Sequence, residues 1–366
     1  MFALAVLMLA VPADATADLF KPTGPVPRFK ITVEKATLAM LVKEPRKYVR
    51  ATVRVGDITL KDVGLHLKGA AGSYRNWDDK PALTLNSNAF AKGQTYRGLD
   101  KFHLNNSVQD NSYLNEMLCA EMALAAGLPA SRATQVLVEL NGRYVGIYVL
   151  KEGFDRTFLK RHFADPHGNL YDGGFLLDID GPLRLESGPG NDRKDLQALT
   201  QACREGDLKK RFAAMDKLLD VDRFVTNMAL QMMTCDWDGY VRNRNNYRVY
   251  FHPKGGKAVF LPHGMDQEFQ DTNNALWGFG SIVANALMET PEGKAKYLAR
   301  LKEFAEKYFV VEKLHKRIDE VTPRLFEALA TIDKGMADWY KNEVRAEKDR
   351  IKQRGEYIKR ELPNLK

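Results

Sequence analysis

Between Phe29 and Leu104 several short stretches alternate apolar and polar positions with a period of two, the spacing of half-buried strands. Phe29–Val33 reads as a strand, followed by a short helix over about 35–43. Tyr48–Val55 and Ile58–Leu60 alternate around the turn Gly56-Asp57. Gly64–Leu67 is a further strand that runs into Lys68-Gly69-Ala70-Ala71-Gly72-Ser73, and Pro81–Leu85 and Lys101–Leu104 continue the sheet. The period then changes. Asn111–Ala126 carries Leu114, Met117, Leu118, Met122 and Ala125 as one helical stripe, with Asp110 to cap it and Gly127-Leu128-Pro129 to stop it. Gln135–Leu140 and Tyr144–Leu150 flank Asn141-Gly142, the signature of a two-residue type I′ hairpin. A short helix, Phe154–His162, ends this half.

Residues 164–195 are rich in Gly, Asp and Pro and read as a long loop. From Leu196 the pattern is mostly helical. Asp220 or Asp222 caps a very apolar helix at about 223–234, and Tyr247–Phe251 and Lys257–Leu261 form a second hairpin around 252–256. Residues 290–366 predict amphipathic, Lys- and Glu-rich helices serving packing and solvated surface. No internal repeat is visible. The order predicts an α+β fold with the layout of a divergent two-lobed protein kinase. A β-rich N-lobe with one inserted helix spans 29–152, and a mostly α C-lobe spans 153–366 with a helical tail. Residues 18–28 are proline-rich and read as a linker.

Composition changes this picture little. The chain has 366 residues, 45% apolar and 28% charged, as ordinary globular proteins do. Its net charge of +8 is dispersed. With no stripe of basic and aromatic residues, that charge argues against nucleic acid and is compatible with a nucleotide phosphate. The apolar run Phe2–Val11 is too short to span a bilayer. Small residues follow it, Ala13-Asp14-Ala15 and Ala15-Thr16-Ala17, so residues 1–17 read as a secretory signal peptide that lacks a basic start. Export to the periplasm or the exterior is expected, without a membrane span. Cys119, Cys203 and Cys235 form no C-x-x-C pair and read as buried thiols.

The chemistry concentrates in the loop from Asp236 to Tyr247, between the apolar helix and the second hairpin. Asp238 and Asn243 stand five residues apart. This is the spacing of a kinase catalytic loop, where the Asp orients a hydroxyl and the Asn holds a metal ion.

These residues, with Leu65-His-Leu-Lys-Gly69, Leu104-Asn-Asn106, Gly127-Leu-Pro-Ala-Ser131, Asn141-Gly-x-Tyr-x-Gly-x-Tyr148 and Leu219-Asp-Val-Asp-Arg-Phe224, resemble the CotH family of atypical protein kinases, named for a spore coat protein. The ordered matches run over about residues 30–270, and none is found in 290–366. The resemblance implies ATP and Mg²⁺ or Mn²⁺, with phosphorylation of Ser or Thr on a protein partner. It makes Asp238 the catalytic residue and Asn243 and Asp266 the metal ligands, with Asn246 a further polar position. Lys80, on the strand before the helix, is the first choice to pair the phosphates and a helix Glu, and Lys68 the second. Glu116 or Glu121 would be that Glu. Glu152, where a kinase hinge would run, marks the adenine, with Asp155 as a candidate ribose partner. One departure stands out. Where the family shows Pro-Trp-Asp-x-Asp or Pro-Trp-Asp-x-Asn, this chain reads Pro262-His263-Gly264-Met265-Asp266. The first acidic position is therefore Gly264, with Glu268 or His263 as candidate helpers of Asp266. Two rivals follow: a pseudokinase or interaction module without catalysis, and a secreted metal-dependent hydrolase using Asp236, Asp238, His263 and Asp266.

Overall fold

The structure is a computed structural model and describes residues 16–21, 24–70, 72–190, 192–253 and 255–365. The expected signal peptide, 1–17, lies almost wholly outside the described residues. The first part of the chain forms β1 (Arg28–Thr32), α1 (Lys35–Lys43), β2 (Val49–Val55), β3 (Ile58–Lys68), β4 (Ala82–Asn86), β5 (Lys101–Asn105), α2 (Asn115–Ala125), β6 (Ala133–Leu140) and β7 (Arg143–Glu152). The seven strands close into a barrel in the order β1-β2-β3-β4-β5-β7-β6. Closure comes from β1 lying parallel to β6, Arg28 opposite Leu137 and Ile31 opposite Leu140. Strand alternation sorts the side chains. Leu65 and Leu67 of β3, Leu83 and Leu85 of β4, Phe102 and Leu104 of β5 and Leu150 of β7 pack inside the barrel. The intervening positions Lys68, Thr84, His103, Asn105 and Lys151 therefore face outward. Leu19, in the stretch expected to be a linker, is buried with the barrel residues.

The rest of the chain forms α3 (Arg156–His162), β8 (Asn169–Asp172), β9 (Arg184–Ser187), α4 (Lys194–Cys203), α5 (Leu208–Leu218), α6 (Val221–Met233), α7 (Tyr240–Asn243), β10 (Tyr247–Phe251), β11 (Ala258–Pro262), α8 (Ile282–Met288), α9 (Pro291–Lys307), α10 (Val311–Ala330) and α11 (Lys334–Glu361). A second sheet has the order β11-β10-β8-β9. A larger core joins Leu137, Ile147 and Val149 on the outside of the barrel to Met117 and Leu118 of α2, to α6, and to α9–α11. Among the described residues no helix is long and apolar enough to cross a membrane.

Three elements differ from the reading of the sequence. β3 is one strand rather than two; a register shift opposite Ala51 and Val53, with Asp62 at φ 55°, carries it past the exposed Lys61-Asp62 pair as a bulge. The inserted helix starts at Asn115, not Asn111. Asp110 accepts from the Ser112 and Asn115 N–H groups at 2.9 and 3.0 Å and so caps a non-helical turn in which Tyr113 sits at φ 58°. The expected loop 164–195 contains β8 and β9. Their contacts are charged pairs across the sheet, Arg248 to Glu186 at 2.8 Å and Arg184 to Asp172 at 2.9 Å, which leave no apolar alternation to read.

Candidate active site

α6 delivers the central loop. Asp220 caps it, accepting from the Arg223 N–H at 3.1 Å, and the helix is buried on nearly every face. Its end is fixed by Arg354 of α11, which is fully buried and donates to the carbonyls of Met233 (3.0 Å), Thr272 (3.1 Å), Asn274 (2.6 Å) and Met232. The Phe269 N–H donates to the Thr234 carbonyl at 2.9 Å, which ties the segment after β11 to the same helix end. Cys235, Arg244, Asn246 and Phe269 all hold positive φ, between 49° and 63°. Such left-handed non-glycine residues cost about 1–3 kcal/mol each and cluster where a site demands a particular backbone.

These constraints shape a cleft of about 380 Å³ between the outer face of the barrel and the 238–267 region. Asp238 lines it, and three amides hold its carboxylate: Asn243 Nδ2 at 2.7 Å on Oδ1, and Asn245 and Asn246 Nδ2 at 3.0 and 2.9 Å on Oδ2. Lys68 and Asp266 line the same cleft, as do Gly69, Ala70 and Ser73 of the turn after β3. Gly69 sits at φ 98°, where a Cβ would press on the Ser73–Tyr74 backbone at 3.0–3.1 Å. Gly264, at φ 63°, is filled from outside: a Cβ there would lie 2.7 Å from Asn246 Oδ1.

The site is rich in buried charge. Glu116, on α2, meets Lys151, on β7, at 2.5 Å, and both are 1% exposed. Lys68 donates to Asn105 Oδ1. Burial, helped by Lys151 and opposed by Glu116 and Asp266, draws its amine down to about 8. Burial and the Glu116 charge push Asp266 up to about 7, against the pull of Lys68 and Lys151, and no hydrogen-bond donor among the described residues reaches its carboxylate. Asp236 is likewise pushed to about 7 by burial and by Asp238. Glu268 is pushed well up by burial and by Asp236 and Asp266, and its Oε2 is buried without a hydrogen-bond partner among the described residues.

The structure thus brings Asp238, Asn243, Lys68 and Asp266 together, with Glu116 behind them. Lys80 does not line the cleft; its Nζ donates to Tyr113 Oη at 2.5 Å. Glu152 does not line it either. Although burial acts against ionisation, hydrogen bonds from Arg161 and Arg132 hold its carboxyl below the usual range and occupy both oxygens. Asp155 is spent as the cap of α3, accepting from Phe158 at 3.0 Å. Glu121 pairs outward with Arg317 of α10, at 2.8 Å. Burial pulls the imidazole of His263 well below the usual range. Among the described residues no three His, Cys, Asp or Glu side chains converge on one point.

Three residues escaped the sequence reading. Lys151 sits beside the chosen Glu152, and the period of two, extended one residue past Leu150, points it out of the barrel. Arg248, 9% exposed, lines the cleft between Asp172 and Glu186, which are charges on strands that were read as loop. Asn245 had no signal beyond its neighbours.

A model of the family described as CotH kinase protein matches residues 65–361. The chain belongs to the CotH family. The match reaches 361, so the tail, expected to carry none of the resemblance, is part of it. Among CotH relatives, inner spore coat protein H of Bacillus subtilis is 24% identical over 307 residues, 76% of this chain and 82% of that protein. Invasin CotH7 of Rhizopus delemar is 24% identical over 254 residues, 60% of this chain but 41% of that protein, so the chain spans about two fifths of the fungal relative. The solved Helicobacter pylori proinflammatory kinase CtkA aligns with 79% of this chain and 96% of its own, at 11% identity and a TM-score of 0.33, too low to carry an argument.

Proposed function

We propose that this CotH chain is an ATP-dependent protein kinase that transfers the γ-phosphoryl group to a Ser or Thr hydroxyl of a protein partner. The carrying observation is the convergence of Lys68, Asp266 and a triply tethered Asp238 on one cleft. In this reading the hydroxyl oxygen bonds to the γ-phosphorus, the bond to the ADP oxygen breaks, and Asp238 takes the hydroxyl proton. Its three amides set the carboxylate's direction, and positioning is most of what phosphoryl transfer asks of a protein. Lys68 and Arg248 offset phosphate charge, and the Gly69–Ser73 turn brings backbone close to it. Glu116 and Lys151 form a buried pair behind Lys68 that keeps its surroundings charged and fixed.

The residues fit a hard divalent ion. Among the described residues no donor reaches the Asp266 carboxylate, and Asn243 has an amide oxygen left after its NH₂ is used on Asp238. Mg²⁺ takes one or two carboxylates, keeps waters and shares phosphate oxygens, so a cage of three carboxylates is not required. When bound, the ion would neutralise charge on the leaving phosphates. Metal binding needs the ionised carboxylate. Asp266 is raised to about 7, so Mn²⁺ with ATP should bind about tenfold more weakly at pH 6 than at pH 8, checked by titration calorimetry. A flat profile would remove Asp266 from the metal site.

The reading is tested with the wild-type chain and Asp266→Asn, measuring ATP binding with and without Mn²⁺ and label transfer from [γ-³²P]ATP to a general acceptor such as casein. Metal-dependent binding that Asp266→Asn loses, with transfer by the wild type, is the expected result. A second reading, a non-catalytic nucleotide-binding module, rests on Gly264 standing at the position that the resemblance to the family motif would make acidic; wild-type binding without transfer to any acceptor would favour it. The names of the relatives, a spore coat protein and an invasin, support an exported or surface location.

A further inference from the structure

A second cavity, of about 420 Å³, lies where the barrel meets the junction of α10 and α11. Val145 and Ile147 of β7, Leu329 of α10 and Trp339 of α11 form its apolar walls, with Lys80 and Tyr113 as its polar part. Its volume falls in the range of roughly 300–1,000 Å³ that small-molecule sites occupy. Trp339 and Met336, on the first turns of α11, are 43% and 37% exposed at this place, unusual for large apolar side chains.

Lys80 is the residue that makes the cavity specific. Its ammonium is hydrogen-bonded to Tyr113 Oη at 2.5 Å and lies 4.5 and 5.4 Å from the ring centres of Tyr113 and Tyr148. No carboxylate among the described residues pairs with it, and the adjacent Asp79 turns to Arg75, 3.5 Å away. Burial, against the pull of Asp79, draws its amine down to about 8. A cation taken out of water and answered only by a phenol and two π faces retains capacity for an anion.

We propose that this cavity binds a small carboxylate with an apolar tail, a medium-chain fatty acid in its simplest form. Lys80 Nζ and Tyr113 Oη engage the carboxylate, and Val145, Ile147, Leu329 and Trp339 line the tail. The charge selects the head group and the walls select the chain. The inference does not rest on phosphoryl transfer.

Decanoate and decanol, each below the concentration at which it self-associates, are titrated into the full chain. Binding is followed by tryptophan fluorescence, with Trp339→Phe to assign the signal. Decanoate should saturate at one per chain and bind at least tenfold tighter than decanol, and Lys80→Met should erase that difference. On the wild type, decanoate but not decanol should slow acetylation of Lys80 relative to the exposed lysines, read by mass spectrometry. Equal binding of acid and alcohol, a preference that survives Lys80→Met, or unprotected Lys80 would overturn the proposal. If Lys80→Met does not fold, the protection measurement decides alone.

Discussion

On the proposed kinase reading, Asp238→Ala should abolish phosphoryl transfer, a loss of about 10³-fold or more, while Mn²⁺-dependent ATP binding should stay within a few-fold of wild type. Removing a positioned proton acceptor alone costs about 10²–10⁴-fold, and here the same carboxylate is the anchor of three amides, so orientation is lost with it. Alanine also leaves those amides without their acceptor, at about 1–3 kcal/mol if they stay dry. Asp238→Asn is therefore the companion variant: it keeps the shape and removes the charge. Both variants should keep the wild-type circular dichroism spectrum and lose transfer. Transfer within tenfold of wild type in either, with the fold intact, would take the catalytic role away from Asp238.

The second large effect is on stability. Arg354→Met should lower the unfolding free energy by about 3–5 kcal/mol, measured from urea denaturation midpoints, because a fully buried guanidinium serves four main-chain carbonyls. Methionine nearly fills the volume, so the loss reports the stranded carbonyls rather than a cavity. Two of those carbonyls, Met232 and Met233, end the helix that presents Asp236 and Asp238. Transfer in the variant should therefore fall even at temperatures where it is folded. A change under about 1 kcal/mol, the worth of an exposed ion pair, would mean that Arg354 is not what holds this helix end.

Much of this was legible in the sequence, and for identifiable reasons. The barrel strands announce themselves by alternation, and the Asn141-Gly142 turn sets the β6–β7 hairpin. The Asp238–Asn243 spacing survives as contact because both ends lie on one short turn, closed by α7. What was not legible depends on residues far apart in sequence. Alternation with Leu65 and Leu67 turns Lys68 out of the barrel, but nothing local says that the cleft lies there, and Lys80, in the turn before β4, carries no such period; its partner Tyr113 comes from the segment before α2. Glu116 and Glu121 sit on one helix, and the choice between them is made by Lys151 on one side and Arg317, nearly two hundred residues away, on the other. The tail looked like solvated surface because its charges outnumber its apolar stripe, and Arg354, one Arg among many, gives no sign of being fully buried.

Gly264 is coupled by its geometry to Asn246, one of the three amides that hold Asp238. The space its missing side chain would need is held by the amide of Asn246, and its backbone is in the left-handed region. An acid introduced at 264 would meet the Asn246 amide and a left-handed backbone at once, so it should cost stability unless position 246 changes with it. Gly264 and Asn246 therefore have to be varied together, and a double-mutant cycle would read their coupling.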